Sequence, residues 1–145
     1  ALPISRWLGN KVLMKIELEY VHYMPKELKL GILYVSEEFG SAAHLCPCGC
    51  GSKVRTPLGL TDWTVEVTNK GPTLYPSVGN WQLPCQSHYV IHHGEIKWAG
   101  KWTPERIMTG RRNEERLSRA YYENLYRKSG GAFRRLWRWI RDLFK

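Results

Sequence analysis

The chain has 145 residues, the length of one ordinary domain, and 43% of them are hydrophobic, as expected of a globular protein. Its net charge of +9 is unevenly distributed, because residues 1–100 carry a balance of +1 and residues 101–145 a balance of +8. The first hundred residues therefore lack the cationic excess of a nucleic-acid-binding domain. Residues 1–20 lack the apolar run of a secretory signal, so we expect the protein to lie in a reducing compartment.

Short segments separated by turn signals predict a small, mostly antiparallel β core in the first hundred residues. Residues 12–20 and 63–67 alternate apolar and polar side chains, as half-buried strands do. Residues 73–78 contain Pro76 and predict either a short strand or a loop, while residues 37–43 predict a connector. The other strands are predicted at residues 28–35, 53–56, 89–91 and 95–98.

Residues 101–145 form a basic tail in which the periodicity becomes helical, so the predicted domains are 1–100 and 101–145. Thr103 followed by Pro104 predicts a helix start and Ser129-Gly130-Gly131 an end, which gives a first helix over about 103–128. A second, amphipathic helix is predicted over about 132–145. Its apolar face consists of Phe133, Leu136, Trp137, Ile140, Leu143 and Phe144. This face either packs on the protein itself or binds an acidic partner or an anionic membrane surface.

Three of the four cysteines, Cys46, Cys48 and Cys50, lie within five residues, and the fourth is Cys85. Neighbours at this spacing would close a strained disulfide ring but can converge on one ion, so the pattern favours a metal site, and zinc is the natural candidate. Four thiolates would complete a tetrahedral structural site. Alternatively, Cys85 and His88 form a chelating pair and displace one cysteine of the cluster.

Several motifs between residues 20 and 98 together carry a family resemblance. They are Gly31-Ile32-Leu33-Tyr34-Val35, His44-Leu45-Cys46-Pro47-Cys48-Gly49-Cys50-Gly51, Trp63, Pro76-Ser77-Val78, Cys85-Gln86-Ser87-His88 and Gly94-Glu95-Ile96-Lys97-Trp98. With these motifs the chain resembles a bacterial family of small metal-binding proteins whose genes lie beside those for ubiquitin-like proteins and their activating and conjugating enzymes. The resemblance implies a cytoplasmic protein of a ubiquitin-like conjugation pathway, for which we infer a processing or deconjugating peptidase. Residues 99–145 lie outside it.

If the four cysteines hold zinc, the remaining polar residues of these motifs suit a serine nucleophile and an imidazole base. These candidate catalytic residues are His44, Ser77, Ser87 and His88. Ser87 and His88 are adjacent and would point to opposite faces of a strand, so the more plausible pairs are His44 with Ser87 and Ser77 with His88. The sequence does not decide between these pairs. The acids available to orient the histidine are Asp62, Glu66 and Glu95.

A structural explanation of the same residues remains open. In it His88 is a zinc ligand, His44 donates a hydrogen bond to a thiolate, and the two serines stabilise turns. A catalytic zinc is less consistent with the sequence, which contains no His-Glu-x-x-His motif.

The sequence thus predicts an α+β protein with a small zinc-stapled β core followed by a basic helical tail. The expected function is that of a serine-type peptidase that processes or deconjugates a bacterial ubiquitin-like protein, with zinc in a structural role. The alternative is a non-catalytic zinc-binding module that binds a ubiquitin-like protein or its conjugating enzymes. A nucleic-acid-binding role of the tail ranks third.

Overall fold

The computed structural model describes residues 14–143, apart from the side chains of Ser129 and Ala132. The chain divides after Lys101 into two compact units. Within the described residues, the first unit contains two four-stranded sheets and the second contains one long helix. The α+β prediction, a small and mostly antiparallel β core followed by a basic helical tail, is confirmed.

The first sheet has the strand order β1-β2-β3-β4 and carries the cysteine loop. Its strands are β1 (Glu17–Tyr20), β2 (Ile32–Ser36), β3 (Ser41–Leu45) and β4 (Lys53–Pro57). β1 runs parallel to β2, whereas β2, β3 and β4 pair in antiparallel fashion. The turn between β3 and β4 covers residues 46–52 and therefore contains Cys46, Cys48 and Cys50.

The second sheet has the strand order β5-β6-β7-β8, and all its pairs are antiparallel. Its strands are β5 (Thr64–Thr68), β6 (Gly71–Gly79), β7 (His88–His92) and β8 (Glu95–Trp98). The register of β6 against β7 shifts between Leu74 and Val78. Residues 80–87 connect these two strands and contain Cys85.

One hydrophobic cluster, to which both sheets contribute, forms the core of this unit. Leu33 and Ala42 from the first sheet and Leu74 and Ile91 from the second are completely buried. Burying a leucine or isoleucine side chain stabilises a fold by about 1.5 to 3 kcal/mol, so this cluster accounts for much of the packing between the sheets. Cys46 belongs to the same cluster, which places the cysteine loop at the edge of the core.

β3 is a strand that the sequence pattern misses, since residues 37–43 predict a connector. Ala42 and Ala43 carry little strand propensity, but β3 lies between β2 and β4, where small side chains fit the buried interior. Residues 73–78, predicted as a strand or a loop, form part of β6. Pro76 is accommodated there because it lies where the β6–β7 register shifts. Residues 12 and 13, the predicted start of the first strand, lie outside the described residues.

The tail is one continuous helix, α1 (Pro104–Leu143), where the sequence predicts two. Its start is as predicted, because the Thr103 hydroxyl accepts a hydrogen bond from the Arg106 backbone N–H. The expected break at Ser129-Gly130-Gly131 does not occur. A glycine in a helix interior costs only about 1 kcal/mol, and helix propagation through the flanking residues is cooperative. Residues 144 and 145, the end of the predicted second helix, lie outside the described residues.

The predicted apolar face of the tail is exposed at Phe133, Trp137 and Leu143. That this face packs on the protein itself, or binds an acidic partner or an anionic membrane surface, stays a prediction. In the described part of the chain, no helix combines the length and the apolar character that crossing a membrane requires.

Replacing both Gly130 and Gly131 with alanine tests the continuity of α1. A Cβ atom added at either position meets no neighbouring atom, so the double variant should stabilise the helix by about 1 to 2 kcal/mol. Circular dichroism during thermal unfolding should show higher helicity and a later loss of helical signal. Gly130→Pro is the opposite control and should shorten the helix; an unchanged melting curve for both variants would indicate that the tail is already broken there.

Candidate active site and metal centre

Ser77 and His88 lie side by side at the two ends of the β6–β7 connection. Ser77 is near the end of β6, His88 begins β7, and the two strands pair there through Gly79 opposite His88. The Nε2 atom of His88 is 3.0 Å from the Ser77 Oγ atom, which is a normal hydrogen-bond distance. His88 is only 6% exposed, whereas Ser77 is half-buried. The serine hydroxyl is therefore within reach of a base and also close to the surface.

The partner of the second nitrogen of the His88 ring determines which nitrogen carries the proton. Its Nδ1 atom is 2.9 Å from the main-chain carbonyl oxygen of Gly100. A carbonyl oxygen only accepts hydrogen bonds, so Nδ1 carries the proton of the neutral ring and Nε2 offers a lone pair to the Ser77 hydroxyl. A main-chain carbonyl thus lies at the ring nitrogen where the sequence suggested an acid.

Trp81 packs against the imidazole of His88 in the same connection. The two ring centroids are 5.0 Å apart, with an angle of 59° between the planes. The indole also lies directly over Gly79, where an added Cβ atom would be 2.6 Å from two atoms of the Trp81 ring. Glycine at position 79 therefore gives Trp81 room to pack beside His88.

The four cysteines converge on one point, although Cys85 is far from the others in sequence. Their Sγ atoms all lie within 4.8 Å of one another, and none of the four forms a disulfide. The β3–β4 turn brings the first three together, and the Cys46 backbone N–H closes this turn by donating to the Ser52 carbonyl. Gly49 and Gly51 have φ angles of 86° and 78°, a left-handed conformation that glycine adopts readily.

The distances and the donor set of this cluster fit a zinc ion. The Sγ atom of Cys46 is 3.3 Å from that of Cys48 and 4.0 Å from that of Cys85, and the Cys50 and Cys85 sulfurs are 3.8 Å apart. Four thiolates about 2.3 Å from a tetrahedral zinc would be separated by about 3.8 Å. The cluster is thus a possible four-cysteine metal site, and the metal itself is not identified.

The environment of the thiols differs across the cluster. Burial raises the pKa of Cys46 and of Cys48, whereas hydrogen bonding to the Ser52 side chain lowers the pKa of Cys50 to about 6. Among these three thiols Cys50 therefore ionises most readily, and a bound cation would favour the thiolate form of the buried pair.

Ser87 lies against the cysteine cluster and not against a histidine partner. The Asn80 side-chain amide donates a hydrogen bond of 2.8 Å to its Oγ atom, which is in turn 3.2 Å from the Cys46 sulfur. The Cys85 sulfur lies 3.6 Å from the same oxygen. Ser87 is 7% exposed, so its hydroxyl is placed to support the sulfurs from inside the protein.

His44 is completely buried and bonds to Tyr89. Its Nε2 atom is 2.7 Å from the Tyr89 hydroxyl, and Asn80 hydrogen-bonds the same tyrosine. Burial lowers the pKa of His44 to about 4, so the ring is neutral at neutral pH. The structure therefore brings together the predicted pair Ser77 and His88, whereas Tyr89 and Asn80 stand between His44 and Ser87.

Sequence reasoning missed four residues of this region: Asn80, Trp81, Tyr89 and Gly100. Each acts through a neighbour that is distant in sequence or through its main chain, so no local motif marks it. The signal that the sequence offers is Trp81, which lies shortly before the fourth cysteine. Such a signal is weak, because tryptophan is more often a core residue than part of a functional site.

The comparisons with known proteins agree with this geometry. The sequence model of one family, described as bacterial ubiquitination-like system serine protease (BubE), matches residues 20–99, which is more than half of the chain. The match includes the cysteine cluster, Ser77 and His88. Searches of curated proteins and of solved structures find no match. The chain belongs to the BubE family of serine proteases of bacterial ubiquitination-like systems.

Proposed function

We propose that this protein is a peptidase that processes or deconjugates a bacterial ubiquitin-like protein, with Ser77 as the nucleophile and His88 as the general base. The observation that carries the proposal is the 3.0 Å contact between Ser77 Oγ and His88 Nε2. The contact of His88 Nδ1 with the Gly100 carbonyl supports it, because it leaves Nε2 free of a proton. Membership in a family of serine proteases supports the reaction class.

The geometry suits acyl transfer. As Ser77 Oγ attacks the carbonyl carbon of a peptide or isopeptide bond, its proton passes to Nε2 of His88, and the C–N bond then breaks as this proton moves to the leaving amine. A water molecule then attacks the acyl carbon, its proton passes to Nε2 of His88 and on to Ser77 Oγ, and the carboxylic acid product leaves. Throughout, the Gly100 carbonyl accepts the Nδ1–H bond and stabilises the positive charge that the imidazole acquires.

The strand that carries Ser77 also offers a place for an extended substrate. The pairing of β5 with β6 ends where Thr64 faces Tyr75, and β6 continues beyond this point to Gly79. A glycine-ended tail of a ubiquitin-like protein could lie along this projecting part of β6 and pair with its main chain, except at Pro76, which has no N–H. Its scissile carbonyl would then pass close to Ser77.

We propose zinc as a structural ion in the four-cysteine cluster. When bound, it would cross-link the β3–β4 turn of the first sheet to the β6–β7 connection of the second. That connection has Ser77 before it and His88 after it, so the cross-link would hold both catalytic groups in place. We assign Ser87 to the support of the sulfurs, not to catalysis, and His44 to the buried hydrogen bond with Tyr89. We also propose a cytoplasmic location, where the thiols stay reduced.

Ser77→Ala should abolish cleavage, whereas Ser87→Ala should retain it. We expect Ser77→Ala to lose at least about a hundredfold in kcat/KM on a ubiquitin-like protein fused to a C-terminal reporter, because Ser77 supplies the hydroxyl that contacts Nε2. A serine-reactive phosphonate should add one label to the folded wild type, at Ser77 by peptide mapping. Labelling at Ser87, or cleavage by Ser77→Ala at the wild-type rate, would refute the assignment and leave a binding module as the better description.

Cys85→Ser should weaken zinc binding by about a hundredfold or more, and Ser87→Ala by about tenfold, since the serine supports the ligands without being one. Metal content by mass spectrometry and competition with a chelating dye would measure both. Chelation should lower the melting temperature and inactivate the wild type, and added zinc should restore both.

His88→Ala should keep one zinc per chain; release of zinc by this variant would make His88 a ligand and not the base.

Gly79→Ala should lower kcat by displacing Trp81 from His88. The new methyl group would lie 2.6 Å from the indole, so the ring must shift, and a displacement of about 1 Å at a catalytic group can cost about a hundredfold in rate. We expect kcat to fall by about tenfold to a hundredfold with KM little changed. Trp81→Phe keeps a ring of smaller size and should be milder; equal activity of Gly79→Ala and the wild type would show that this packing does not position His88.

A further inference from the structure

A shallow pocket of about 440 Å³ lies at the turn between β7 and β8. It is lined by Lys15, Lys70, His92, His93, Gly94, Glu95 and Lys97. Three lysines and two histidines thus surround one carboxylate, and all three lysines are exposed. The pocket therefore presents a concentrated cationic surface on a unit whose remaining charge is nearly balanced.

Three separate segments build this pocket, so it is a feature of the tertiary structure. Lys15 forms a bridge opposite Glu95, Lys70 lies in the β5–β6 turn, and Lys97 lies on β8. The turn is closely packed, because an added Cβ at Gly71 would be 2.7 Å from the Gly94 Cα atom. The lysines therefore line one pocket over a closely packed backbone.

The charges in the pocket oppose one another. Desolvation, followed by the neighbouring charges of His93 and Lys97, lowers the pKa of His92. An anionic group placed among these side chains would relieve the repulsion between the lysines and favour the protonated form of His92.

The pocket opens on the same face of the second sheet as the catalytic pair. Because side chains alternate along a strand, His88, Val90 and His92 of β7 point to one face, and Lys97 lies opposite Val90 on that face. The opposite face holds buried Tyr89 and Ile91. Four residues of strand separate His88 from His92, a distance of about 13 Å. One bound protein could contact both places at once.

We propose that this pocket is an exosite for an acidic, carboxylate-bearing surface of the ubiquitin-like substrate, which it holds while the substrate's tail reaches Ser77. The proposal rests on the proposed function. The occupant follows from the charge of the pocket, which complements carboxylates, and from its position on the catalytic face within the span of one small folded domain.

The double variant Lys70→Glu/Lys97→Glu tests the exosite against Lys26→Glu/Lys29→Glu, which changes the net charge equally at exposed positions of the first sheet's loops. At low salt, the pocket variant should lose about tenfold or more in kcat/KM on the intact ubiquitin-like fusion, mainly through KM. On a short peptide with the same C-terminal sequence, the pocket variant should have the same kcat/KM as the wild type, since this peptide cannot reach the pocket. The control variant should behave as the wild type on both substrates, and added salt should reduce the difference.

Binding of the uncleaved ubiquitin-like protein to the Ser77→Ala background separates this inference from the peptidase assignment. If Lys70→Glu/Lys97→Glu abolishes this binding and the control pair does not, the exosite holds even if the wild type shows no peptidase activity. Equal losses from both pairs, unchanged kinetics on the intact fusion, or reduced cleavage of the short peptide would each overturn it. So would a loss of affinity confined to a single-stranded oligonucleotide, which would make the pocket a nucleic-acid site.

Discussion

The connection between β6 and β7 determines where the Ser77–His88 pair lies, because one residue precedes it and the other follows it. At its base the Asn80 N–H donates to the Ser87 carbonyl at 2.9 Å, and the Cys85 sulfur lies beside those of the cysteine turn of the other sheet. Between Cys85 and Ser87 the chain passes through a left-handed residue, Gln86, with a φ of 44°. Such a conformation persists in a non-glycine residue when its neighbours are held firmly, as they are here. If Ser77 and His88 act as proposed, groups fixed in this way need little reorganisation before reaction.

Beneath this connection runs a chain of buried polar contacts from Cys46 through Ser87, Asn80 and Tyr89 to His44. A buried polar group destabilises a protein unless it is paired, and these groups pair with one another, although the Nδ1 atom of His44 has no hydrogen-bond partner among the described residues. The chain gives Ser87 and His44 partners of their own. It thereby leaves Ser77 and His88, on the outer side of the sheet, as the hydroxyl and imidazole that meet each other.

The two faces of the second sheet have separate tasks. The inner face carries Leu74, Tyr89 and Ile91, which pack in the shared core. The outer face carries Ser77 and His88, the proposed catalytic pair, at one end and the lysine-lined pocket at the other. This division follows from the two-residue period of a strand, and it allows the outer side chains to change without removing apolar area from the core.

The sequence by itself determined what depends on neighbours in the chain. The Cys-x-Cys-x-Cys spacing indicated the cluster, alternating residues indicated the strands, and Thr103-Pro104 indicated the start of the helix. The structure alone decided that β3 is a strand and that the tail continues through Gly130-Gly131, because burial and cooperative helix formation override weak local propensities. It also placed Ser77 beside His88 and Ser87 against the cysteine sulfurs. This placement depends on the register of β6 against β7 and on the contact of the Ser87 hydroxyl with the cysteine sulfurs. Both are set by contacts between residues distant in sequence.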